Sequence, residues 1–474
     1  MTEHTAHTAD VVVLGGGSGG YAAALRAAEL GKSVVLIERD KVGGTCLHRG
    51  CIPTKALLHA GEVADAARNS ANFGIRATFD GVDMAGVHKY KDAVIAKNWK
   101  GLQGLISARG ILTVEGEGVL VASDTVQVGE DRYVGAAVIV ATGSVPIVPP
   151  GFEIDGQTVL TSDEALQLDH VPATALVLGG GVVGCEFASA WASLGTKVTI
   201  VEALPHLLPS EDEASSKLLE RAFRRRGIGQ RLGVSVTKAG RVTKVERVTE
   251  VGRTEEGARL TLADGGVLEA EVLLVAVGRR PNTAGLGLEE NGVALDNGYV
   301  LVDTSGQTSV DGLYGVGDVI RTPQLAHAGF AEGILAAEHL AGLPVRAIDY
   351  SGVPRVAYCS PEVASVGLTE GQAVERYGVD GVRTVTYDLT GNGRSAILNT
   401  KGAVKLVALP DGPVLGIHLV GDRVSEMIAE AQLIYNWEAP PSQVAELIHP
   451  HPTQSEALGE AHMLLAGKPL HVHG

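Results

Sequence analysis

The sequence predicts an α/β fold made of two related α/β units, followed by a C-terminal α+β domain. Three observations predict it: a repeated strand–glycine–helix pattern, apolar runs typical of buried parallel strands, and a change of character near residue 350. Beyond that point, strand-like runs such as RTVTYDL and KGAVKLVAL precede helical stretches. With 474 residues, the chain is long enough for about three domains.

Composition and charge restrict the possible function classes. The chain has 39 Lys and Arg residues against 55 Asp and Glu, and the net charge of −16 argues against nucleic-acid or anionic-membrane partners. A hydrophobic fraction of 45% is that of a globular chain. No run of 18 apolar residues occurs, and the N-terminal segment lacks the basic and apolar regions of a secretory signal. We therefore expect a soluble, cytoplasmic protein.

The first α/β unit begins with DVVVLGGGSGG, an apolar run that leads directly into glycines. The run ALVLGGGVVG repeats the pattern 164 residues later. Each copy continues into an Ala-rich helix and a second strand that ends in an acid, Glu38 or Glu202. Both copies fit Gly-x-Gly-x-x-Gly, with glycines Gly15, Gly17, Gly20 and Gly179, Gly181, Gly184.

This repeated pattern is typical of Rossmann-like dinucleotide-binding domains. The first glycine makes the turn, the second lets the backbone approach a pyrophosphate, and the third lets the helix pack closely on the strand. The helix N-terminus favours the phosphate charge, and the acid accepts hydrogen bonds from the adenosine ribose. Two matched copies therefore predict two dinucleotides on two separate domains.

The region between the copies predicts a long amphipathic helix from Met84 to Gly110, because its apolar residues recur at helical spacing. We expect its basic residues, Lys91 among them, to lie on a solvated face. Residues 111–135 and 240–272 alternate with turn residues, as β-meanders do.

A cysteine pair, Cys46 and Cys51, lies in GGTCLHRGCIPTK directly after the first unit. The stretch that follows is rich in Ala and Leu with Pro53 near its start, which predicts a helix N-terminus, where a thiolate has a lowered pKa. A metal site would need two further Cys or His ligands close in sequence, so we predict a redox-active pair and no metal. We expect Cys185 and Cys359 to be small buried side chains.

The segment HPHPTQSE places His451 five residues before Glu456, between Pro450 and Pro452. An imidazole takes and returns a thiol proton near neutral pH, and a carboxylate on its other nitrogen fixes the tautomer. The residues alone leave His449 open as a competing base, and two histidines on a proline turn as a structural alternative.

These motifs together resemble the pyridine nucleotide–disulfide oxidoreductases: two dinucleotide units, Cys-x4-Cys before IPTK, ATGS, GVGDV and HPHPTQSE. The resemblance runs in order from about residue 10 to residue 470. It implies FAD in the first unit, NAD in the second and a C-terminal dimerisation domain. The implied domains are 1–150 for FAD, 151–280 for NAD, 281–349 returning to the FAD and central region, and 350–474 for the dimer interface.

The resemblance also implies roles for single residues. Further cofactor residues would be Lys55, Thr142, Gly143, Ser144 and Asp318 for FAD, and Gly278 for NAD. The catalytic residues would be Cys46, Cys51, His451, Glu456, Lys55 and Glu186. Cys46 would exchange with substrate thiols, and Cys51 would face the flavin. His451, oriented by Glu456, would act as base on the disulfide of the other subunit, and Lys55 would pair with Glu186 near the flavin.

Within the family, the chain is most similar to members that oxidise protein-bound dihydrolipoamide with NAD⁺. This similarity implies a homodimer that serves the lipoyl domain of a 2-oxoacid dehydrogenase or glycine cleavage complex. Two alternatives are NAD(P)H-dependent reduction of another disulfide and an NADH:quinone-type flavin reductase. Glu202 favours NAD, because a carboxylate repels a 2′-phosphate. One departure changes the charge beside the thiols: His48 and Arg49 stand where the family more often has Asn and Val.

Overall fold

The computed structural model describes residues 6–249 and 252–472. Its strands are, in chain order, β1 Ala6–Leu14, β2 Val34–Glu38, β3 Leu112–Glu115, β4 Gly118–Ala122, β5 Thr125–Val128, β6 Asp131–Val140, β7 Ser144–Pro146, β8 Val159–Leu160, β9 Thr174–Leu178, β10 Lys197–Glu202, β11 Gly229–Leu232, β12 Val236–Thr249, β13 Gly252–Leu262, β14 Val267–Ala270, β15 Val272–Val275, β16 Arg279–Pro281, β17 Leu295–Asp296, β18 Tyr299–Val300, β19 Leu313–Gly315, β20 Arg355–Ala357, β21 Glu362–Gly367, β22 Arg383–Asp388, β23 Ala403–Ala408 and β24 Val414–Gly421. Its α-helices are α1 Ser18–Glu29, α2 Gly44–His48, α3 Cys51–Arg68, α4 Met84–Ala108, α5 Ser162–Ala165, α6 Val182–Leu194, α7 Glu213–Arg225, α8 Ala326–Leu340, α9 Glu370–Tyr377, α10 Gly393–Leu398, α11 Val424–Asn436, α12 Pro441–Val444 and α13 Glu456–Leu465.

The first of two compact units contains the described residues of Met1–Ala56, Ala85–Ile147 and Gly278–Tyr350. Its main sheet has the strand order β3-β2-β1-β6-β5-β4, and β19 also pairs with β6. Strand β1 is parallel to both β2 and β6, whereas β4, β5 and β6 form an antiparallel meander. This sheet places the first glycine turn at the carboxyl end of β1.

Strand β1 is buried on both faces. Val11 and Val13 belong to the apolar cluster on one side of the sheet, and Val12 and Leu14 belong to the cluster on the other side. A strand covered on both faces needs apolar residues at every position, which is why the sequence shows a continuous run instead of alternation.

Helix α4 confirms the helix predicted between residues 84 and 110, but one expectation about it is wrong. Lys91 does not lie on a solvated face, because the residue is only 1% exposed. Burial lowers the pKa of Lys91, and the carboxylate of Asp92, 3.7 Å from its ammonium, acts in the opposite direction. A hydrophobic pattern counts lysine as polar, although its long aliphatic stem can be covered like that of an apolar residue.

The second unit contains the described residues of Leu57–Met84, Val148–Val277 and Ser351–Gly474. Its parallel sheet has the order β11-β10-β9-β15-β8, in which β9 and β10 repeat the pairing of β1 and β2. The antiparallel sheet β12-β13-β14 packs on this parallel sheet, with Leu260 and Leu176 in one apolar cluster.

Strands β12 to β14 confirm the β-meander predicted over 240–272, within which residues 250–251 lie outside the described residues.

The C-terminal part of the second unit is an antiparallel sheet of order β20-β21-β24-β23-β22. Helices α11 and α13 share its apolar core, to which Leu406, Leu419, Met427 and Leu458 contribute. The fold class predicted from the sequence, two Rossmann-like units with a C-terminal α+β domain, is therefore confirmed. Within residues 6–249 and 252–472, no helix combines the length and the apolar character that crossing a membrane requires.

Candidate functional site

The first glycine loop, between β1 and α1, is packed too tightly for side chains at two of its glycines. Gly15 has φ +104°, and a Cβ on it would lie 2.4 Å from the carbonyl oxygen of Ala141. A Cβ on Gly20 would lie 1.9 Å from the carbonyl oxygen of Gly15. A Cβ on Gly17 would meet nothing within 4 Å. Gly15 and Gly20 are thus required by the fold, whereas the space at Gly17 is open to a ligand.

The second glycine loop, between β9 and α6, has the same geometry. Gly179 has φ +111°, and a Cβ on Gly184 would lie 1.9 Å from its carbonyl oxygen. The space at Gly181 is again open to 4 Å. The two copies found in the sequence are therefore two copies of one local structure.

The acid after each loop accepts backbone hydrogen bonds from its own loop. Glu38 accepts from the Gly16 N–H at 2.7 Å, and Glu202 accepts from the Gly180 N–H at 2.6 Å. Each carboxylate is thereby held at the end of its second strand, beside the open space at the middle glycine.

The residues present fit a dinucleotide at each loop. Gly17 and Gly181 are the N-caps of α1 and α6, and neither helix has a side-chain cap. The N–H groups of the first helical turn thus remain for an anion, and the absent Cβ leaves room for a pyrophosphate to approach the backbone.

A second group of predicted residues surrounds the turn after β6. The Ser144 hydroxyl donates to Oδ2 of Asp318 at 2.5 Å, so the ATGS and GVGDV motifs meet. Thr142 donates to the carbonyl oxygen of Asn282 at 2.8 Å, and the Gly143 carbonyl accepts the N–H of Asn282 at 2.9 Å. These contacts join the predicted FAD residues of the ATGS turn to the segment that returns after β15.

Gly278 lies where that segment starts. It has φ +125°, and its carbonyl oxygen accepts the N–H of Ile147 at 2.9 Å. Its predicted role at NAD stays a prediction.

Two residues of this group were missed by the sequence analysis. Arg279 donates to the hydroxyl of Ser144 at 2.8 Å and to its carbonyl oxygen at 2.7 Å. Glu332, only 4% exposed, accepts the N–H of Gly317 at 2.7 Å and so holds the residue before Asp318. Burial raises the pKa of Glu332. An acid inside the Ala- and Gly-rich helix HAGFAEG was the available signal for Glu332.

The cysteine pair lies where α2 and α3 meet. Cys46 is in α2, Cys51 begins α3, and all four cysteines of the chain are thiols in the structure. A hydrogen bond with Cys51 and burial raise the pKa of Cys46, while Ser18 and Lys55 act in the opposite direction. The lowered pKa that the sequence predicts for a thiolate at a helix N-terminus therefore does not apply to Cys46. Cys51, not Cys46, is the cysteine at the start of α3.

The base segment HPHPTQSE brings its predicted pair together. Nδ1 of His451 lies 2.8 Å from Oε1 of Glu456, and the imidazole is 75% exposed. Burial would raise the pKa of Glu456, but the Thr453 N–H and the imidazole hold it below its usual value. Because the carboxylate accepts from Nδ1, the proton sits there and Nε2 is the nitrogen that can take another. His449, the competing base, contacts Glu430 at 2.7 Å instead.

The remaining predicted residues lie in different units. Lys55 is on α3 within the first unit, close enough to the thiols to affect Cys46. Glu186 is on α6 in the second unit, where it is 3% exposed and accepts the Tyr358 N–H at 2.9 Å. Their pairing stays a prediction. As expected, Cys185 and Cys359 are buried, at 0% and 2% exposure.

Known proteins match this chain over nearly its full length. Residues 9–333 match the pyridine nucleotide-disulphide oxidoreductase family, and residues 353–462 match its dimerisation domain. A dihydrolipoyl dehydrogenase of Bacillus subtilis is 40% identical, over 98% of this chain and 99% of that protein. The mitochondrial dihydrolipoyl dehydrogenase of Pisum sativum is 38% identical, over 98% and 92%. Leghemoglobin reductase of Vigna unguiculata is 39% identical, over 98% and 88%.

Solved structures share the fold. LpdA from Mycobacterium tuberculosis has a TM-score of 0.86 at 27% identity, with 97% of this chain and 99% of that one covered. The HOCl-induced flavoprotein disulfide reductase RclA from Escherichia coli, as its Cu(II) complex, has a TM-score of 0.84 at 27% identity over the same shares. The chain therefore belongs to the pyridine nucleotide-disulphide oxidoreductase family, whose members use FAD and NAD, and whose dimerisation domain supports a homodimer.

Proposed function

We propose that this chain is a dihydrolipoyl dehydrogenase, which oxidises protein-bound dihydrolipoamide to lipoamide and reduces NAD⁺. The observation that carries the proposal is the hydrogen-bonded pair of Cys46 and Cys51, which follows β2 in the first unit. Two sulfurs in contact can alternate between dithiol and disulfide, as oxidation of a substrate dithiol requires. The names of the Bacillus subtilis and Pisum sativum relatives support the choice of substrate.

The thiol chemistry starts from the disulfide between Cys46 and Cys51. A substrate thiolate attacks Sγ of Cys46, the bond to Cys51 breaks, and Cys51 leaves as a thiolate. The second substrate thiolate then attacks the substrate sulfur of this mixed disulfide, which releases Cys46 and closes the lipoamide ring. The substrate has lost two electrons and two protons, and the electrons are held in the enzyme dithiol. FAD, when bound, supplies the two-electron carrier that connects this dithiol to NAD⁺.

The base in this scheme is His451. Its Nε2 takes the proton of the substrate thiol, and Glu456 keeps Nδ1 protonated and stabilises the charged imidazole. The imidazole acts on the disulfide of the other subunit, so each active site uses residues of both copies. Exposure of 75% leaves the ring accessible to such a partner.

The cofactor assignments follow the two glycine loops. FAD binds the 1–150 domain together with residues 281–349, through Gly15, Gly17, Gly20, Glu38, Lys55, the ATGS turn and Asp318. NAD binds the 151–280 domain through Gly179, Gly181, Gly184, Glu202 and Gly278. Residues 350–474 form the dimer interface, in keeping with the dimerisation-domain match.

Two assignments concern neighbours of the thiols. Lys55, whose charge acts on Cys46, pairs with Glu186 near the flavin. The natural substrate is the lipoyl domain of a 2-oxoacid dehydrogenase or glycine cleavage complex, since its dihydrolipoamide arm carries the dithiol.

The direct test is Cys46→Ser, with Cys185→Ser as the matched control. We expect the first variant to keep its flavin and to lose dihydrolipoamide oxidation, while the second keeps both, because Cys185 is a fully buried residue of α6 and not part of the cysteine turn. Dihydrolipoamide-dependent NADH formation and the flavin content after gel filtration measure the two properties. Retained turnover in Cys46→Ser would remove this disulfide from the mechanism.

The role of the partner subunit has its own test. His451→Gln keeps the size of the side chain but lacks the proton acceptor, so dithiol oxidation should fall by about 10²–10⁴-fold. Mixing this variant with Cys46→Ser and exchanging subunits should restore one working site per heterodimer. No recovery after proven exchange would mean that each site is built within one chain.

A further inference from the structure

The two residues that depart from the family pattern both tie the cysteine turn to the segment after β2. Nε2 of His48 lies 3.0 Å from the carbonyl oxygen of Val42. The guanidinium of Arg49 lies 3.5 Å from the carboxylate of Asp40. Arg49 and Asp40 are about half exposed, so their ion pair is expected to contribute little. His48, by contrast, is partly buried.

Helix α2, which carries Cys46, cannot fix its own position. It has five residues, and its N-cap Gly43 makes no side-chain cap hydrogen bond. Gly43 and Gly44 have φ +112° and +56°, so the chain enters the helix through a backbone conformation that favours glycine. A single helical turn is unstable by itself, because nucleation fixes several residues for one hydrogen bond. The position of the Cys46 thiol therefore depends on contacts with other elements: the bond from the Gly43 N–H to the Gly16 carbonyl at the helix entry, and contacts made by the side chains of α2.

His48, the last residue of α2, makes two such contacts with different elements. Because a carbonyl oxygen only accepts, Nε2–H of His48 donates to Val42 and fixes the tautomer. The ring also meets the indole of Trp99 on α4 edge-on, at 5.7 Å between centroids and 83° between planes. The ammonium of Lys41 lies 5.4 Å from the centroid of the same indole. One imidazole thus connects α2, the segment after β2 and α4.

We propose that His48 is a positioning residue for the redox thiols: by holding α2 against Val42 and Trp99, it keeps Cys46 in contact with Cys51. The proposal rests on the proposed function of the pair, in which the two sulfurs open and close a disulfide. Closing that bond is easier when the sulfurs are already held together, because less freedom is lost in the process. Releasing α2 would therefore favour the dithiol over the disulfide.

The test measures the equilibrium between the dithiol and disulfide forms in buffers of reduced and oxidised dithiothreitol, followed by alkylation and mass spectrometry. For His48→Ala we expect the equilibrium constant to shift about 3- to 10-fold toward the dithiol, and a tenfold shift corresponds to about 30 mV. Trp99→Leu should shift it in the same direction. The double variant should shift it no further than the stronger single one, because both changes release the same contact.

Two further variants separate positioning from general damage. His48→Gln keeps a side-chain N–H at the position of Nε2 for Val42 but lacks the ring, so its shift should lie between those of the unchanged protein and His48→Ala. His59→Ala, which removes an exposed imidazole paired with Glu62 on α3, should leave the equilibrium unchanged.

The outcomes decide the proposal without reference to the natural substrate. If His48→Ala fails to fold, the His48→Gln and Trp99→Leu variants carry the same measurement. Equilibria within twofold of the unchanged protein in the folded variants would overturn the positioning role. Dithiothreitol replaces lipoamide in this experiment, so a wrong substrate assignment would leave the result intact. If Cys46 and Cys51 of the unchanged protein formed no disulfide in any of these buffers, the proposed function would be contradicted instead.

Discussion

The two glycine loops have nearly the same backbone and differ in what covers them. In both, the chain returns after the acid and donates an N–H to the carbonyl oxygen of the residue that follows the first glycine of the loop. Gly43 donates to the carbonyl oxygen of Gly16 at 2.8 Å, and Leu208 donates to that of Gly180 at 2.8 Å. Even the conformation is shared, since Gly43 and Leu208 both have positive φ, +112° and +48°. The two loops thus have equivalent local geometry.

Beyond that shared contact, the two returning segments diverge. The first continues into Gly44 and the cysteine-bearing turn, and a Cβ on Gly44 would lie 2.6 Å from the Cα of Gly17. The second continues through buried Leu207 and Leu208 to Asp212, which caps α7. The loop geometry is repeated, whereas only the segment after Glu38 carries a cysteine pair. Four experiments test this similarity in the loops and the difference between the segments that follow them.

The largest effect should come from Gly20→Ala and Gly184→Ala. Each adds a Cβ 1.9 Å from a carbonyl oxygen of its own loop, so the helix must move away. We expect Gly20→Ala to lose FAD and all activity. Gly184→Ala should keep FAD and reduction of the thiols, but kcat/KM for NAD⁺ should fall by about 100-fold, as for other misplaced groups. Flavin absorbance after gel filtration and steady-state kinetics distinguish the two.

The matched controls for those variants are Gly17→Ala and Gly181→Ala. Their φ values of −72° and −73° suit alanine, and no atom lies within 4 Å of the added Cβ. Their thermal stability without cofactor should stay unchanged while the cofactor of the same loop binds more weakly. An unchanged KM for NAD⁺ in Gly184→Ala would mean that the second loop is not the NAD site.

The next largest effect should come from the buried ion pair between Lys405 and Asp212, which holds the segment after Glu202. Lys405 lies 2.7 Å from Asp212, and their side chains are only 10% and 2% exposed. Burial would raise the pKa of Asp212, but Lys405 and the N–H of Glu370 lower it. Lys405→Met leaves that carboxylate buried without its cation, so the free energy of unfolding should fall by about 3 kcal/mol. Denaturant unfolding measures the change.

Lys217→Met provides the comparison for Lys405→Met. Lys217 also pairs with an acid, Glu213, but both side chains are more than half exposed. Its loss should therefore leave the free energy of unfolding nearly unchanged, because solvent screens an exposed ion pair. Equal losses of unfolding free energy in the two variants would show that the buried pair of Lys405 and Asp212 stabilises the protein no more than an exposed pair does.

Low pH should destabilise the second unit, because its buried His462 resists protonation. Burial lowers the pKa of His462 to about 4, and its Nδ1–H donates to the carbonyl of Leu458 at 2.6 Å. The unfolded chain takes up this proton near pH 6.5, so stability falls as the pH drops from about 6.5 to 4, by up to about 3 kcal/mol. His462→Leu should remove this part of the pH dependence. An unchanged pH profile of unfolding would show that His462 is not responsible.

The smallest effect should come from neutralising Glu202 or Glu38, the acids that follow the two loops. Glu202→Gln keeps a hydrogen-bond acceptor for Gly180 but lacks the charge that opposes a 2′-phosphate. We expect the preference for NAD⁺ over NADP⁺ to narrow about tenfold, or about 1.4 kcal/mol. Glu38→Gln should leave that preference unchanged, because it belongs to the other loop. The ratio of kcat/KM for NAD⁺ to that for NADP⁺ measures the preference in each variant. If the preference fell equally in both variants, the assignment of NAD to the second loop would be wrong.

The local features of the site could be predicted from sequence. Glycine spacing, the strand-end acids and the cysteine pair each depend on neighbours within one strand–turn–helix segment, and local segments are what a sequence pattern reports. That Ser144 and Asp318 belong to one cofactor site was implied only by the family resemblance, and the hydrogen bond between them was not predicted.

Long-range burial could not be predicted. Lys405 and Asp212 are 193 residues apart, and no local pattern connects them. Lys91 looked solvated because its helix position was judged by residue type rather than by what covers it. The raised pKa of Cys46 depends on contact with Cys51 and on burial, which the spacing of the two cysteines does not give.

The burial of Cys185 and Cys359 has a practical consequence for chemical labelling. Both thiols are shielded from solvent, whereas Cys46 and Cys51 are only partly covered. A maleimide fluorophore or a cysteine-reactive crosslinker applied to the native protein is therefore directed to the active-site turn alone. The wild-type chain can serve as a site-selective conjugation scaffold without removal of its other cysteines.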